Sequence, residues 1–214
     1  MNIVIIPGFT GYPEEKTFED LDVELTVAGH NIIKIAWPYF PEDLRKYSLS
    51  ETLQYTRSVV SELDPHQTVI LGFSMGGIVA CFVAKEFKPK KLGLIVTPSQ
   101  AGSADDLSGK YKNWMDNGYR DLTSSKFGKL RIPFSFIQDA QQYNVLDVIS
   151  EINCPVMFIA GEDDSRVPVE ICRRIYDKAN HPKFWHEISK MEHKYQYQTE
   201  KLVAVNRIIQ QFIG

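Results

Sequence analysis

Short apolar runs alternate with amphipathic segments along most of the 214-residue chain. The apolar runs predict six strands, at residues 2–6, 31–36, 68–72, 92–97, 155–160 and 184–188. Between them, apolar residues recur at spacings of three and four, which indicates helices. Near-continuous apolar strands joined by helical crossovers are typical of a parallel sheet covered on both faces. The pattern therefore predicts a single domain over residues 1–214, a three-layer α/β/α sandwich with a six-stranded, mostly parallel sheet.

The ends of two predicted helices carry recognisable signals. Gly29 is placed to end the first helix, and Ser48 with Glu51 forms a capping box at the start of the second. The predicted helical segments lie at residues 18–28, 49–63, 75–87, 168–179 and 202–212.

Residues 99–145, called the insertion below, break this alternation. The segment follows a predicted strand end and is rich in aromatic residues. Insertions of this length in a compact domain are usually functional. We therefore expect a small helical lid over the edge of the sheet where the strands have their carboxyl ends, called the active edge below because parallel sheets carry their active sites there. The alternative is a helical pair packed elsewhere on the surface. Its aromatic residues are Tyr111, Trp114, Tyr119, Phe127, Phe134, Phe136 and Tyr143.

Composition argues against several classes of protein. The chain is 43% hydrophobic with a net charge of −3, which is ordinary for a globular protein and offers nucleic acid no basic surface. No apolar run is long enough to span a bilayer, and the N-terminal residues form a strand pattern rather than a signal peptide. Three widely spaced cysteines show no metal spacing. We expect a cytoplasmic protein with neither nucleic acid nor membrane as partner; the oligomeric state is left open.

The most informative motif is a Gly-x-Ser-x-Gly pentapeptide at residues 72–76, between a predicted strand and a predicted helix. This context is typical of a nucleophile elbow, in which a sharp turn exposes the serine hydroxyl. Side chains at Gly72 or Gly76 would collide with neighbouring backbone. We therefore predict Ser74 as a catalytic nucleophile; the alternative is a tight packing turn that happens to contain a serine.

A serine nucleophile needs a base, and the base needs an orienting acid. Of five histidines, His193 lies just past the carboxyl end of a predicted strand, where the active sites of parallel sheets are found. The loop after the strand at 155–160 offers the acid. Spacing alone does not choose between Asp163 and Asp164.

Stabilising an oxyanion requires two backbone N–H groups. Met75, directly after the nucleophile, is placed to supply one. The glycine-containing loop at residues 7–11 is expected to supply the other, with Phe9 as first choice and Thr10 as second. A plain glycine turn is the alternative for this loop.

Ser74, then an acid, then His193, all at strand ends, resembles the α/β-hydrolase superfamily over nearly the whole chain, and within it small lidded esterases and lipases. The family's acid turn, Gly-x-x-Asp-x-x-Val-Pro, aligns with residues 161–168 and implies Asp164 as the acid. Two departures are visible. Pro7 stands where the family's oxyanion loop usually has histidine, and the His193 loop lacks the glycine that often precedes the histidine. The resemblance also implies a trimmed core without the family's first two strands.

The motifs and the resemblance together predict a serine hydrolase that cleaves carboxylic acyl esters, without metal or organic cofactor. A small-molecule acyl ester is the expected partner. Thioesterase, peptidase and cofactor-free lyase activity are alternatives on the same fold, and a catalytically silent binding protein is another. Residues expected to line the substrate site are Trp37, Tyr39, Trp114, Tyr119, Phe134 and Phe136, with Phe40 as a further candidate.

Overall fold

All six predicted strands form one parallel sheet in the computed structural model, which describes residues 1–103, 108–109 and 111–214. The predicted insertion therefore includes five residues, 104–107 and 110, that lie outside the described residues. In chain order the strands are β1 (Asn2–Ile6), β2 (Asn31–Lys34), β3 (Thr68–Phe73), β4 (Lys91–Ile95), β5 (Tyr119–Ser124), β6 (Gly128–Pro133), β7 (Val156–Gly161) and β8 (Lys183–Ile188). The main sheet has the order β2-β1-β3-β4-β7-β8, and β5 pairs with β6 separately.

In the described part of the chain the α-helices lie between or after these strands. They are α1 (Lys16–Val27), α2 (Leu49–Val60), α3 (Met75–Phe87), α4 (Lys112–Asn117), α5 (Ser135–Ala140), α6 (Val169–Lys178) and α7 (Thr199–Ile213). Ser48 caps α2 by accepting a hydrogen bond from the Glu51 N–H, and Gly29 follows α1 in the left-handed conformation. Among the described residues, no helix has the length and apolar character needed to cross a bilayer.

Alternating side chains divide the core between the two faces of the sheet. In β1, Val4 and Ile6 pack into the cluster that contains α2, α3 and part of the insertion. Ile3 and Ile5 point to the opposite face, where α1 and α7 cover them. Since successive side chains of a strand face opposite ways, each central strand contributes to both layers of helices. The three-layer α/β/α architecture is confirmed.

Two strands end earlier than their apolar runs. β4 ends at Ile95 because Val96 takes a positive φ of 45° and leaves the extended conformation, although its N–H still donates to Ile159 O. β2 ends at Lys34, and Ile35 N–H continues the pairing with Ile5 O. Both strand ends lie on the active edge of the sheet, where the loops that carry the candidate site begin.

The insertion differs from the predicted helical lid because an antiparallel hairpin, β5–β6, lies between α4 and α5. Gly118 ends α4 and Gly128 opens β6, with φ of 73° and 71°, a conformation that glycine adopts without steric cost. Leu122 pairs with Leu130 across the hairpin. Most other hairpin side chains are exposed, so the apolar alternation that marks a half-buried strand is weak in this sequence.

Candidate active site

Ser74 occupies a sharp turn between β3 and α3. Its φ of 51° and ψ of −124° lie in a region that non-glycine residues rarely adopt, at a cost of order 1–3 kcal/mol. Hydrogen bonds on both sides hold the turn: the Ser74 N–H donates to Ile95 O at 2.8 Å, and Gly77 N–H donates to Ser74 O at 2.9 Å. The surrounding backbone therefore imposes the strained conformation that exposes the hydroxyl.

The glycines of the motif are required by close backbone approaches, as predicted. A Cβ on Gly72 would lie 2.5 Å from Gly77 Cα, and a Cβ on Gly76 would lie 2.3 Å from Ile6 O. Sequence reasoning missed Gly77, where a Cβ would lie only 2.0 Å from the Thr97 hydroxyl oxygen. Two consecutive glycines at the start of α3, Gly76 and Gly77, could have indicated this close approach from the sequence.

His193 follows β8 and reaches Ser74, with 3.0 Å between its Nε2 and the serine Oγ. Glu162 stabilises the loop that carries His193, because its carboxylate accepts hydrogen bonds from Ser189 Oγ and Lys190 N–H. These contacts hold the pKa of Glu162 below its usual value. Lys190 takes a φ of 56°, so a lysine provides the left-handed residue in a loop that lacks glycine.

The structure brings Asp164, and not Asp163, to the histidine. Asp164 Oδ2 lies 2.7 Å from His193 Nδ1, and its side chain is fully buried. Its other oxygen, Oδ1, accepts the backbone N–H groups of Arg166 at 2.9 Å and Val167 at 2.8 Å. Asp163 is exposed. Both oxygens of the Asp164 carboxylate are therefore oriented, which fixes the edge it presents to the imidazole.

Two backbone amides near Ser74 are candidates for binding an oxyanion. Among the described residues, neither Phe9 N–H nor Met75 N–H donates a hydrogen bond. The Thr10 N–H, the second candidate, already donates to Tyr47 Oη at 2.9 Å. The loop itself lies against the serine, since a Cβ on Gly8 would be 3.2 Å from Ser74 Cβ. The geometry thus favours Phe9 over Thr10 as the amide that is free to meet an oxyanion.

An aromatic cluster supports the loop at residues 7–11. The Phe9 ring lies 4.8 Å from Phe136, 5.8 Å from Trp114 and 6.0 Å from Tyr47, centroid to centroid. Trp37 joins the cluster and donates its indole N–H to Pro7 O at 3.1 Å. Sequence reasoning missed Tyr47, whose hydroxyl and ring both hold this loop. Its signal, one aromatic residue in a polar stretch, is too weak to identify it.

The six residues predicted to line the substrate site differ in burial: some lie in the aromatic cluster and others are exposed. Trp114 and Phe136 are buried in the aromatic cluster with Trp37, and the Trp114 indole donates to Ile132 O. Phe134 is partly buried beside Trp114. Tyr39 and Tyr119 are exposed, and Tyr119 stacks on Arg131. A role for these residues in substrate binding stays a prediction.

Behind the loop at residues 7–11, Glu15 is partly buried at the start of α1. Its carboxylate packs close to Gly11, and burial raises its pKa to about 7. Near it, the buried hydroxyl of Tyr195 has no hydrogen-bond partner among the described residues, and burial raises the pKa of this phenol. No group of three or more His, Cys, Asp or Glu side chains that could hold a metal is found in the described part of the chain.

The sheet order, the elbow at Ser74 and the His193 loop define the class as an α/β hydrolase, and solved structures agree. Mouse ABHD10 superposes with a TM-score of 0.78 at 21% identity, covering 99% of this chain and 89% of that one. Est1E from Butyrivibrio proteoclasticus, solved with ferulic acid bound, gives 0.77 at 18% identity, covering 99% and 87%.

The family follows from the sequence comparison. A family model described as serine hydrolase (FSH1) matches residues 4–194, and the chain belongs to this family. Among curated proteins, human "Palmitoyl-protein thioesterase ABHD10, mitochondrial" is 22% identical over 189 residues, 82% of this chain and 61% of that protein. The Arabidopsis thaliana "Alpha/beta hydrolase domain-containing protein WAV2" is 27% identical over 122 residues, 56% of this chain. The chain spans only 37% of the plant protein's length. The cytoplasmic location expected from the sequence stays a prediction.

Proposed function

We propose that the protein hydrolyses carboxylic acyl esters through a covalent acyl-enzyme on Ser74. The observation that carries this proposal is the continuous hydrogen-bonded chain from Asp164 through His193 to Ser74, with contacts of 2.7 and 3.0 Å, ending on a strained and partly buried serine. A nucleophile within reach of a base, with the base oriented by an acid, is the arrangement that nucleophilic catalysis requires.

In the acylation step, Ser74 Oγ attacks the ester carbonyl while His193 Nε2 takes the hydroxyl proton. Asp164, facing His193 Nδ1, keeps that nitrogen protonated and stabilises the imidazolium that forms. Negative charge then develops on the carbonyl oxygen. We expect the Phe9 and Met75 amides, which make no hydrogen bond within the described part of the chain, to donate to this oxygen, and the N-terminus of α3 adds a favourable dipole.

Collapse of the tetrahedral intermediate breaks the ester C–O bond, and His193 returns the proton to the departing alcohol. Water then attacks the acyl-enzyme, with His193 accepting its proton, and release of the carboxylic acid restores Ser74. The three side chains that move protons already lie within hydrogen-bond distance of one another, so proton transfer needs no large rearrangement of the triad.

Thioester hydrolysis is the second candidate, because the human relative is named a palmitoyl-protein thioesterase. The same triad serves both reactions, since they share an acyl-enzyme and differ in the leaving group. Oxygen esters and thioesters with the same acyl group therefore separate the two activities directly.

A fluorophosphonate probe tests the nucleophile. We expect one label on the wild-type protein, and we expect Ser74→Ala to abolish both labelling and ester turnover. Ser165→Ala is the matched control, because Ser165 is an exposed serine in the neighbouring acid loop. Labelling that survives in Ser74→Ala would reject the assignment. A wild-type protein without label and without turnover would favour the silent binding protein.

A further inference from the structure

The main sheet has two edge strands, β2 and β8, and they differ in what they leave open. β2 has only four residues, and Lys34 at its end is ion-paired with Asp22 on α1. β8 has six residues and carries Phe184, whose side chain is 46% exposed. Proteins usually keep edge strands short and charged, because an unpaired edge can pair with another strand. The β8 edge is therefore the more open of the two.

Alternate residues of β8 turn their backbone groups away from the sheet. Pro182 O and Ile188 O accept hydrogen bonds from the β7 side. Because the backbone groups of a strand alternate in direction, the even-numbered residues of β8 face β7. Lys183, Trp185 and Glu187 therefore direct their N–H and C=O groups to the free edge. Within the described part of the chain, no loop is hydrogen-bonded to these outward groups.

One antiparallel register pairs this edge with a second copy of itself. When Trp185 lies opposite Trp185 of the second copy, every outward N–H and C=O group of the strand has a partner. The same register places Lys183 opposite Glu187 of the second copy, once at each end of the pair. Opposite charges facing each other across two strands are stabilising. A shift by two residues would bring Glu187 opposite Trp185 and lose both charge pairs, so the edge favours one register.

The two charged side chains have capacity left for these contacts. Lys183 Nζ donates to Tyr176 O at 2.7 Å and to Asp177 O at 3.2 Å, which leaves one of its three donors. A Glu187 carboxylate oxygen lies 3.3 Å from Arg173 Nη2, and the Glu187 side chain is 40% exposed. Both side chains are thus held beside the edge, and each keeps an atom for a contact across it.

The other face of β8 supplies apolar contact. Phe184 and His186 line an open groove between β8 and α7, together with Ile208 and Phe212. In the register described above, Phe184 lies opposite His186 of the second copy. This is a non-hydrogen-bonded pair, the kind in which facing side chains come closest. Phe184 of each copy would therefore cover part of the groove of the other and lose its own exposure.

We propose that the protein forms a two-fold dimer in which β8 pairs antiparallel with β8 of a second copy, with Trp185 on the two-fold axis. The pairing joins two six-stranded sheets into one continuous sheet. A two-fold interface must be complementary to itself, and the backbone groups, the charges and Phe184 all meet this condition. The proposal does not depend on the reaction at Ser74.

Sedimentation equilibrium over a micromolar concentration series gives the first test. We expect a reversible dimer for the wild type and a monomer for Phe184→Lys, because a lysine at this position puts a charge into the apolar contact. Val23→Lys is the matched control, since Val23 is 61% exposed on α1, and it should remain dimeric. A wild type that stays monomeric over the whole series would overturn the proposal. A Phe184→Lys dimer as tight as the wild type would also overturn it.

A charge swap tests the register. In Lys183→Glu, and separately in Glu187→Lys, like charges face each other at both ends of the pair, so each variant alone should stay monomeric. In an equimolar mixture, each facing pair of a mixed dimer again joins a glutamate to a lysine. We expect the mixture to associate, although each variant keeps its own altered contacts within the chain. If the wild type dimerises and the mixture does not associate, the register centred on Trp185 is wrong. Association of the mixture would also exclude a different protein as the partner that the edge requires.

Discussion

The catalytic residues and the insertion are held in place by different kinds of contact. Around Ser74 and Asp164, backbone groups make the decisive interactions: Ile95 O accepts from the serine N–H, and two loop amides bind the aspartate. The insertion is held by side chains. Asp139 binds both the N–H and the hydroxyl of Ser50, and the Trp114 indole donates to Ile132 O.

This difference has consequences for mutation. Where backbone groups fix a side chain, a substitution that keeps its shape leaves the geometry in place and changes only the chemistry. Where side chains fix the backbone, truncating one of them removes packing and a hydrogen bond together. We therefore expect substitutions in the triad to change catalysis without loss of stability. Truncation of a buried side chain of the insertion, such as Trp114, should lower stability without a selective catalytic change.

The largest expected effect is the loss of kcat in Asp164→Asn. The Arg166 and Val167 amides hold one side-chain oxygen, so the asparagine must present its amide nitrogen to His193. That favours the wrong tautomer, which in a serine protease lowers kcat about 10⁴-fold. We expect a loss of the same order, measured with p-nitrophenyl butyrate, and little change in unfolding temperature.

Asp163→Asn is the control for this change, because Asp163 is exposed in the same turn. It should retain kcat within a few-fold. A larger loss in Asp163→Asn than in Asp164→Asn would assign the acid role to Asp163 and contradict the observed contact with His193.

The insertion provides the opposite test in Trp114→Ala. Trp114 is 3% exposed, contacts the Phe9 and Phe136 rings and donates to Ile132 O. Truncation of a buried tryptophan typically costs about 3–5 kcal/mol. We expect a loss of this size in urea unfolding, with the relative kcat/KM across acyl chain lengths unchanged.

Met115→Ala, on the same helix but 41% exposed, should cost far less. A shift in chain-length preference in Trp114→Ala, without loss of stability, would place Trp114 on the substrate wall, as first expected from the sequence.

The same contrast explains what the sequence could predict. The elbow glycines and the strand-end positions of Ser74 and His193 are local features. Close backbone approaches demand the glycines, and the strand pattern locates the two catalytic candidates. Asp164 needed the family pattern, because its selection depends on amides that spacing does not reveal. The β5–β6 hairpin escapes prediction because most of its side chains are exposed, and Tyr47 because its role depends on contacts with side chains distant in the sequence. A single sequence carries no periodic signal for such contacts.

The smallest expected effect is the pH dependence of stability that comes from Glu15, whose side chain lies behind the loop at residues 7–11. Its carboxyl packs beside Gly11, and its pKa of about 7 exceeds the ordinary 4.5 because burial disfavours the charged form. Between these pH values the folded protein keeps a proton that the unfolded chain has lost. The free energy of unfolding therefore falls as the pH rises from about 4.5 to about 7, and levels above that.

Glu15→Gln, which is uncharged at every pH, should remove this dependence. We expect it to match the wild type near pH 5 and to exceed its unfolding free energy by about 1–3 kcal/mol near pH 8, measured by urea unfolding. Glu19→Gln, an exposed position on the same helix, should leave the wild-type pH profile intact. If the unfolding free energies of Glu15→Gln and wild type changed with pH in parallel, the Glu15 carboxylate would be solvated in the folded protein and this prediction would be wrong.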